Sequence, residues 1–201
     1  MLSHKLLLKA GYISQLSAGI FSFTPMGWRV VNNIKKVINE EMENINCLEA
    51  NLPVIQPSSI WEQSGRIDSF IPPLANFYDR RDKTMIIAPT HEEAVIELVK
   101  NNLKSFRDLP FSIYHIQTKF RDETRPRGGL LRVREFEMKD AYSFHQDEKS
   151  LDEEFDKFSE AYFKIFNRCG INVVKVAADS GAIGGKVSSE FISVSDSGED
   201  T

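Results

Sequence analysis

The sequence has little with which to build a metal centre or a disulfide framework. It holds only two cysteines, Cys47 and Cys169, and neither sits in a Cys-x-x-Cys pair. That removes the usual zinc and disulfide scaffolds from consideration. The four histidines are scattered without ligand spacing, so no metal site is expected. Charge of one sign is also scarce: a net charge of −4 argues against an electrostatic grip on nucleic acid by the whole surface. No apolar run approaches the roughly 20 residues needed to span a membrane. The opening Met1–Lys9 is short and interrupted by lysines, unlike a signal peptide. The expected compartment is therefore the cytoplasm. Internal repeats are absent too.

What is present suits one folded unit. With 201 residues, 41% of them hydrophobic, the chain can bury one sizeable core. Residues 3–10 read as a short helix stopped near Gly11, and Gly19–Pro25 alternates like a half-buried strand. Val30, Val31, Ile34, Val37, Ile38 and Met42 recur at helical spacing, which predicts an amphipathic helix from about Trp28 to Met42. Residues 48–57 are extended, with Pro53 marking an edge or a bulge. Two strands, 76–81 and 84–88, flank an Asp82-Lys83 turn. Pro89-Thr90-His91-Glu92-Glu93 then opens a helix to about Leu103, in which Thr90-x-x-Glu93 forms a capping box. A second such box, Ser150 to Glu153, starts a helix with Leu151, Phe155, Phe158, Tyr162, Ile165 and Phe166 inward and its end at Gly170. Strands at 171–178 and 190–194 enclose a glycine-rich turn. Gly181–Lys186 within that turn fails the phosphate-loop pattern, because Val187 follows the lysine. Strands joined by short turns, with helices segregated between them, predict an α+β fold with an antiparallel sheet.

The residues between Phe111 and Phe144 carry the chemistry. Lys119-Phe120-Arg121-Asp122-Glu123 leads into a loop with Gly128-Gly129, and Arg132 to Asp140 returns. The cluster from Lys119 to Arg134 is locally basic. Strand alternation puts Arg121 and Glu123 on one face, and Arg132, Arg134, Phe136, Met138 and Asp140 on one face if no bulge intervenes. Such a surface offers guanidinium groups to phosphates, a carboxylate to an amino group and an aromatic ring to a base. The plainer alternative is a surface hairpin laced by arginine–glutamate pairs.

The full pattern resembles motif 2 of the class II aminoacyl-tRNA synthetases: Phe120-Arg121-Asp122-Glu123, then Arg132-x-x-x-Phe136-x-x-x-Asp140. Pro89–Glu93, Gln117–Glu123, Met138–His145 and Gly184-Gly185 make it similar, nearly end to end, to the bacterial-type prolyl-tRNA synthetases. The resemblance implies that Arg121 bridges the ATP α-phosphate and the proline carboxylate, a role suited to its planar fork of donors. It implies Glu123 for the adenine amino group, Phe136 for the adenine face and Arg132 for the β- and γ-phosphates. Thr90 and Glu92 would meet the secondary ammonium of proline. Pro53 and the helix before it correspond to motif 1, which implies a homodimer; a core helix beside an edge strand would explain them equally well. The implied substrates are ATP with Mg2+, L-proline and tRNA(Pro). Aminoacylation would proceed through prolyl-adenylate, and no protein base is needed because the attacking carboxylate is already ionised.

By the same resemblance, residues 1–190 would be a partial class II catalytic domain, incomplete at its C-terminus. Residues 191–201 would begin the connection to an editing insertion. Motif 3, with its further arginine, is not in the sequence, so the isolated chain is expected to have an exposed sheet edge and impaired or absent activity. A synthetase-like protein that binds nucleotide or amino acid without aminoacylation is the alternative. Retention of Thr90, Glu92, Arg121, Glu123, Arg132 and Phe136 favours the ligase.

Overall fold

The computed structural model describes residues 1–179 and 187–195. The glycine-rich turn expected above and residues 196–201 lie outside them. The order is α1 (Leu2–Lys9), β1 (Ile13–Ser17), β2 (Ile20–Phe23), α2 (Pro25–Asn44), β3 (Leu48–Glu49), β4 (Ile55–Pro57), α3 (Ser58–Ser64), β5 (Asn76–Tyr78), β6 (Thr84–Ile87), α4 (Glu92–Asn102), β7 (Phe111–Phe120), β8 (Glu135–Phe144), α5 (Glu148–Arg168), β9 (Val174–Ala177) and β10 (Ser189–Ile192).

The long hairpin β7–β8 is the spine. It pairs antiparallel over ten residues on each side, from Phe111 opposite Phe144 to Phe120 opposite Glu135. Its other neighbour, β3, runs parallel to β7, so the sheet order is β3-β7-β8 and the antiparallel expectation holds with one short exception. A second sheet, β4-β6-β5, is antiparallel throughout.

Period-2 alternation decides which layer each spine residue meets. Tyr114 faces α2 and α5, packing with Met42, Cys47, Ala161 and Ile165. Ile113 faces α4, with Leu52, Val95 and Val99. The spine is thus covered on both faces, and both cores come from long-range contact between helices and one hairpin.

Local chemistry shifts several boundaries. Helix α2 begins before Trp28 because Thr24 caps it, accepting from the Gly27 N–H at 3.2 Å, with Pro25 at the first helical position. Only its second half enters the core: Val37, Ile38 and Met42 are covered, whereas Val30 and Ile34 are exposed. Helix α5 is capped by Asp147, whose carboxylate takes the Ser150 N–H at 2.8 Å, so the expected Ser150 cap is corrected. An upstream aspartate competes well for that N–H, because its oxygen is charged. The inward stripe of α5 is Glu154, Phe158, Ala161, Tyr162 and Ile165, while Leu151 and Phe155 are exposed. Glu154 is inward because Ser112 donates to it at 2.6 Å.

Two elements had no expectation. β1 pairs with β2 in a hairpin, and α3 carries Trp61, which is wholly buried. The Trp61 indole donates to Gln56 at 2.8 Å, and Gln56 reaches the Thr90 carbonyl at 3.5 Å. Pro53 lies between β3 and β4 rather than within a strand, since it has no N–H for a ladder. No helix among the described residues is long and apolar enough to cross a membrane.

Candidate active site

The end of β7 meets the end of β6, and this junction makes the site. The Phe120 N–H donates to the Ala88 carbonyl at 2.9 Å, and Arg121 Nε donates to the Pro89 carbonyl at 3.2 Å. These bonds hold the segment Ala88–Glu92 against the spine. A cavity of about 460 Å³ opens there, with Thr90, Glu92, Arg121, Arg66, Met138 and Tyr142 among its walls. Thr90, Glu92 and Arg121 therefore converge as the sequence implied. Glu123, Arg132 and Phe136 are not in these walls. They continue outward along the hairpin, joined to the cavity by Arg121, whose guanidinium lies 5.5 Å from the Phe136 ring centre.

The face assignments need one correction. Phe136, Met138 and Asp140 share a face, lying opposite Lys119, Gln117 and His115. Arg134 precedes the regular strand, and its guanidinium pairs with Asp122 and lies over Phe120. Arg132 comes back through an isolated bridge with Arg127 and pairs with Glu123 at 3.0 Å. Alternation fails there because the loop, not the ladder, sets the backbone before Glu135.

That loop is seated on the amino-terminal segment. The Gly19 carbonyl accepts the N–H groups of Arg134 at 2.8 Å and Glu135 at 3.4 Å. A Cβ on Gly129 would lie 2.7 Å from the Cβ of His4, and Gly129 has φ of +68°. Glycine is required on both counts: a left-handed backbone and a neighbour without room.

The Thr90–Glu93 capping box is also corrected. The N-cap of α4 is His91, and it makes no side-chain cap. Glu93 is buried and spent elsewhere, accepting from Ser64 Oγ at 2.9 Å and Arg66 Nη1 at 3.0 Å. Arg66 also lies 3.4 Å from Glu92 and stacks against Trp61 and Phe70. A tertiary ion pair outcompetes a local cap when the partner is fixed by packing.

Beneath the cavity lies a buried polar cluster. Lys119 is 0% exposed, with its ammonium 2.5 Å from His91 Nδ1, 3.0 Å from His115 Nε2, and 2.8 and 3.1 Å from the Asp140 oxygens. Tyr142 donates to Asp140 at 2.5 Å. Burial pushes the Asp140 carboxyl up, but hydrogen bonds from His115, Lys119 and Tyr142 prevail and hold it down to about 2. Burial and the neighbouring Lys119 charge push His91 down to about 4. The Lys119 ammonium is itself held below the usual range by burial, against the pull of Asp140. Ligand atoms of His91, His115 and Asp140 lie within 4.8 Å of one another, a grouping no sequence spacing revealed. The ammonium already contacts all three, so a metal ion there would have to displace a buried charge.

The family model described as the tRNA synthetase class II core domain (G, H, P, S and T) matches residues 75–200. The chain belongs to this family. Among curated relatives, the proline–tRNA ligase of Pediococcus pentosaceus is 48% identical over 201 residues, which is 100% of this chain and 35% of the relative. The proline–tRNA ligase of Staphylococcus haemolyticus is 53% identical over 200 residues, again 35% of its length. The chain thus spans about a third of the relatives it matches. Among solved structures, Cryptosporidium parvum prolyl-tRNA synthetase complexed with L-proline and AMP superposes with a TM-score of 0.81 at 21% identity, covering 93% of this chain and 38% of that one. Giardia lamblia prolyl-tRNA synthetase in complex with prolyl-adenylate gives 0.79 at 22%, covering 86% and 36%. At such identities the structures speak for the class II core fold alone.

Arg66, Lys119, His91, His115 and Tyr142 were not expected at this class II site. Lys119, His91 and Tyr142 did stand inside stretches already singled out. Arg66 carried no signal, because its segment is irregular and only the fold brings it to Glu92 and Glu93.

Proposed function

We propose that the chain is the proline-activating part of a proline–tRNA ligase, forming prolyl-adenylate from ATP and L-proline for transfer to tRNA(Pro). The observation that carries this is the convergence of Thr90, Glu92 and Arg121 on one cavity. A carboxylate and a hydroxyl suit the secondary ammonium of proline, and a guanidinium suits its carboxylate and the adjacent phosphate. The proline carboxylate attacks the ATP α-phosphorus while the bond to pyrophosphate breaks. Arg121 aligns the two anions and disperses the charge that would hold them apart. ATP enters as its magnesium complex, with Phe136 stacked on adenine, Glu123 accepting from its amino group and Arg132 on the outer phosphates. Glu123 pairs with Arg132 and Glu92 with Arg66, so each of these carboxylates would turn from an internal arginine toward a substrate donor.

The test is ATP–pyrophosphate exchange on the protein across a panel of amino acids. Exchange dependent on proline is expected, weak in the 201-residue chain on its own, as the sequence predicts. Preference for another amino acid, or ATP binding that does not respond to proline, would count against the reading.

We take the working form as a homodimer in the cytoplasm. Supporting the dimer, Met26, Val30 and Ile34 recur at four-residue intervals on α2 and remain exposed. Ile34→Glu is expected to turn a dimer into a monomer by light scattering. A wild-type monomer at micromolar concentration would rule the interface out.

A further inference from the structure

We infer that Lys119 is a positioning residue for the amino-acid cavity, locking the Thr90–Glu92 segment to the spine through His91. It rests on the proposed proline site only for its kinetic arm.

The tautomer of His91 follows from its two neighbours. Nε2 lies 3.1 Å from the Pro53 carbonyl, which can only accept, so Nε2 carries the proton and donates. Nδ1 is then a bare acceptor and takes a hydrogen from the Lys119 ammonium. His91 is in effect a rigid strut, with Pro53 at one end and Lys119 at the other. Thr90 and Glu92 flank this strut in the chain, and both line the cavity. The opposite side of the ammonium holds Asp140, itself a cavity wall bonded to Tyr142. One buried charge therefore ties together the segment bearing Thr90 and Glu92, the strand that leads into Arg121 and the strand bearing Met138 and Tyr142. Lys119 sits on β7 two residues before Arg121, which directly follows the last strand residue, Phe120, and whose N–H donates to the Arg134 carbonyl at 2.8 Å.

The competing account is that Lys119 merely neutralises Asp140. The two differ in what happens when both charges are removed together, since a balanced loss leaves no stranded carboxylate. Three variants separate them: Lys119→Met/Asp140→Asn, Asp140→Asn alone, and His91→Leu, which keeps the Lys119–Asp140 pair. Backbone amide exchange over residues 90–95 is compared with that over 99–103, and KM is measured for L-proline and for ATP. The double variant and His91→Leu are both expected to exchange faster at 90–95 only. Both should raise KM for proline about tenfold, with KM for ATP changed less than about twofold.

Wild-type protection at 90–95 in the folded double variant would overturn the inference. So would a rise in proline KM that is already complete in Asp140→Asn alone. Loss of protection at 90–95 in a protein that never responds to proline would uphold the lock and refute the proline site.

Discussion

Arg121→Ala is expected to lower proline-dependent ATP–pyrophosphate exchange by about 10²–10³ in kcat/KM while leaving the fold in place. The size follows from the number of charges it serves. Its guanidinium stands at the mouth of the cavity, between the Thr90–Glu92 wall and Phe136. Of the two arginines in the cavity walls, Arg66 is held by Glu92 and Glu93, which leaves Arg121 for both the amino-acid carboxylate and the α-phosphate in the proposed reaction. Removing it leaves two anions to approach each other unscreened. Lysine should rescue little, since a point charge cannot bridge two acceptors as a planar fork does. The structural cost is small by comparison. Arg121 is half-buried and forfeits one side-chain bond, to the Pro89 carbonyl, worth about 1 kcal/mol. Activity lost with the unfolding midpoint nearly unchanged is therefore the signature. Exchange within about tenfold of wild type would mean that Arg121 does not bridge the reactants.

Gly27→Ala is expected to destabilise the protein by about 3 kcal/mol, against the usual sign of glycine-to-alanine changes in helices. Such a change normally helps by up to about 1 kcal/mol, because alanine loses less backbone entropy. Here the new Cβ would lie 2.0 Å from the Tyr12 carbonyl oxygen and 3.0 Å from its carbon. That oxygen is not free to retreat. It accepts the Thr24 N–H at 3.0 Å and the Thr24 hydroxyl at 3.2 Å, the same threonine that caps α2. Relief of the clash would separate the helix from the segment before β1 and disturb the cap. Urea titration of the two proteins measures this directly, and an unchanged or higher midpoint would refute it.

Much of the fold was legible because its elements are long or sharply bounded. β7 and β8 showed as two strand-like runs around a glycine loop, and α5 as a long periodic stretch with a turn glycine after it. What escaped was decided by competition. Ser150 and Thr90 each matched a capping pattern, yet Asp147 took one role and Arg66 drew Glu93 out of the other. Local patterns propose caps; distant partners can cancel them. α3 escaped because seven residues are too few for a period, and its reason to exist is the burial of one tryptophan. At the site, Thr90, Glu92 and Arg121 were legible through a motif spread over two segments. The lysine–histidine–aspartate cluster was not, because its members come from three elements that only the folded sheet brings together.

The seating of the hairpin loop on the amino terminus has a practical side. Helix α1 buries none of its residues, so it can be disturbed with little loss of global stability. Yet His4 abuts Gly129, and the Met1 side chain comes within 3.7 Å of where a Gly128 Cβ would sit. An affinity tag joined at Met1 would thus press on the loop that carries Arg132, more than a hundred residues along the chain. Weak nucleotide binding by a tagged preparation could be an artefact of handling, invisible in a melting curve and removed by cutting the tag away.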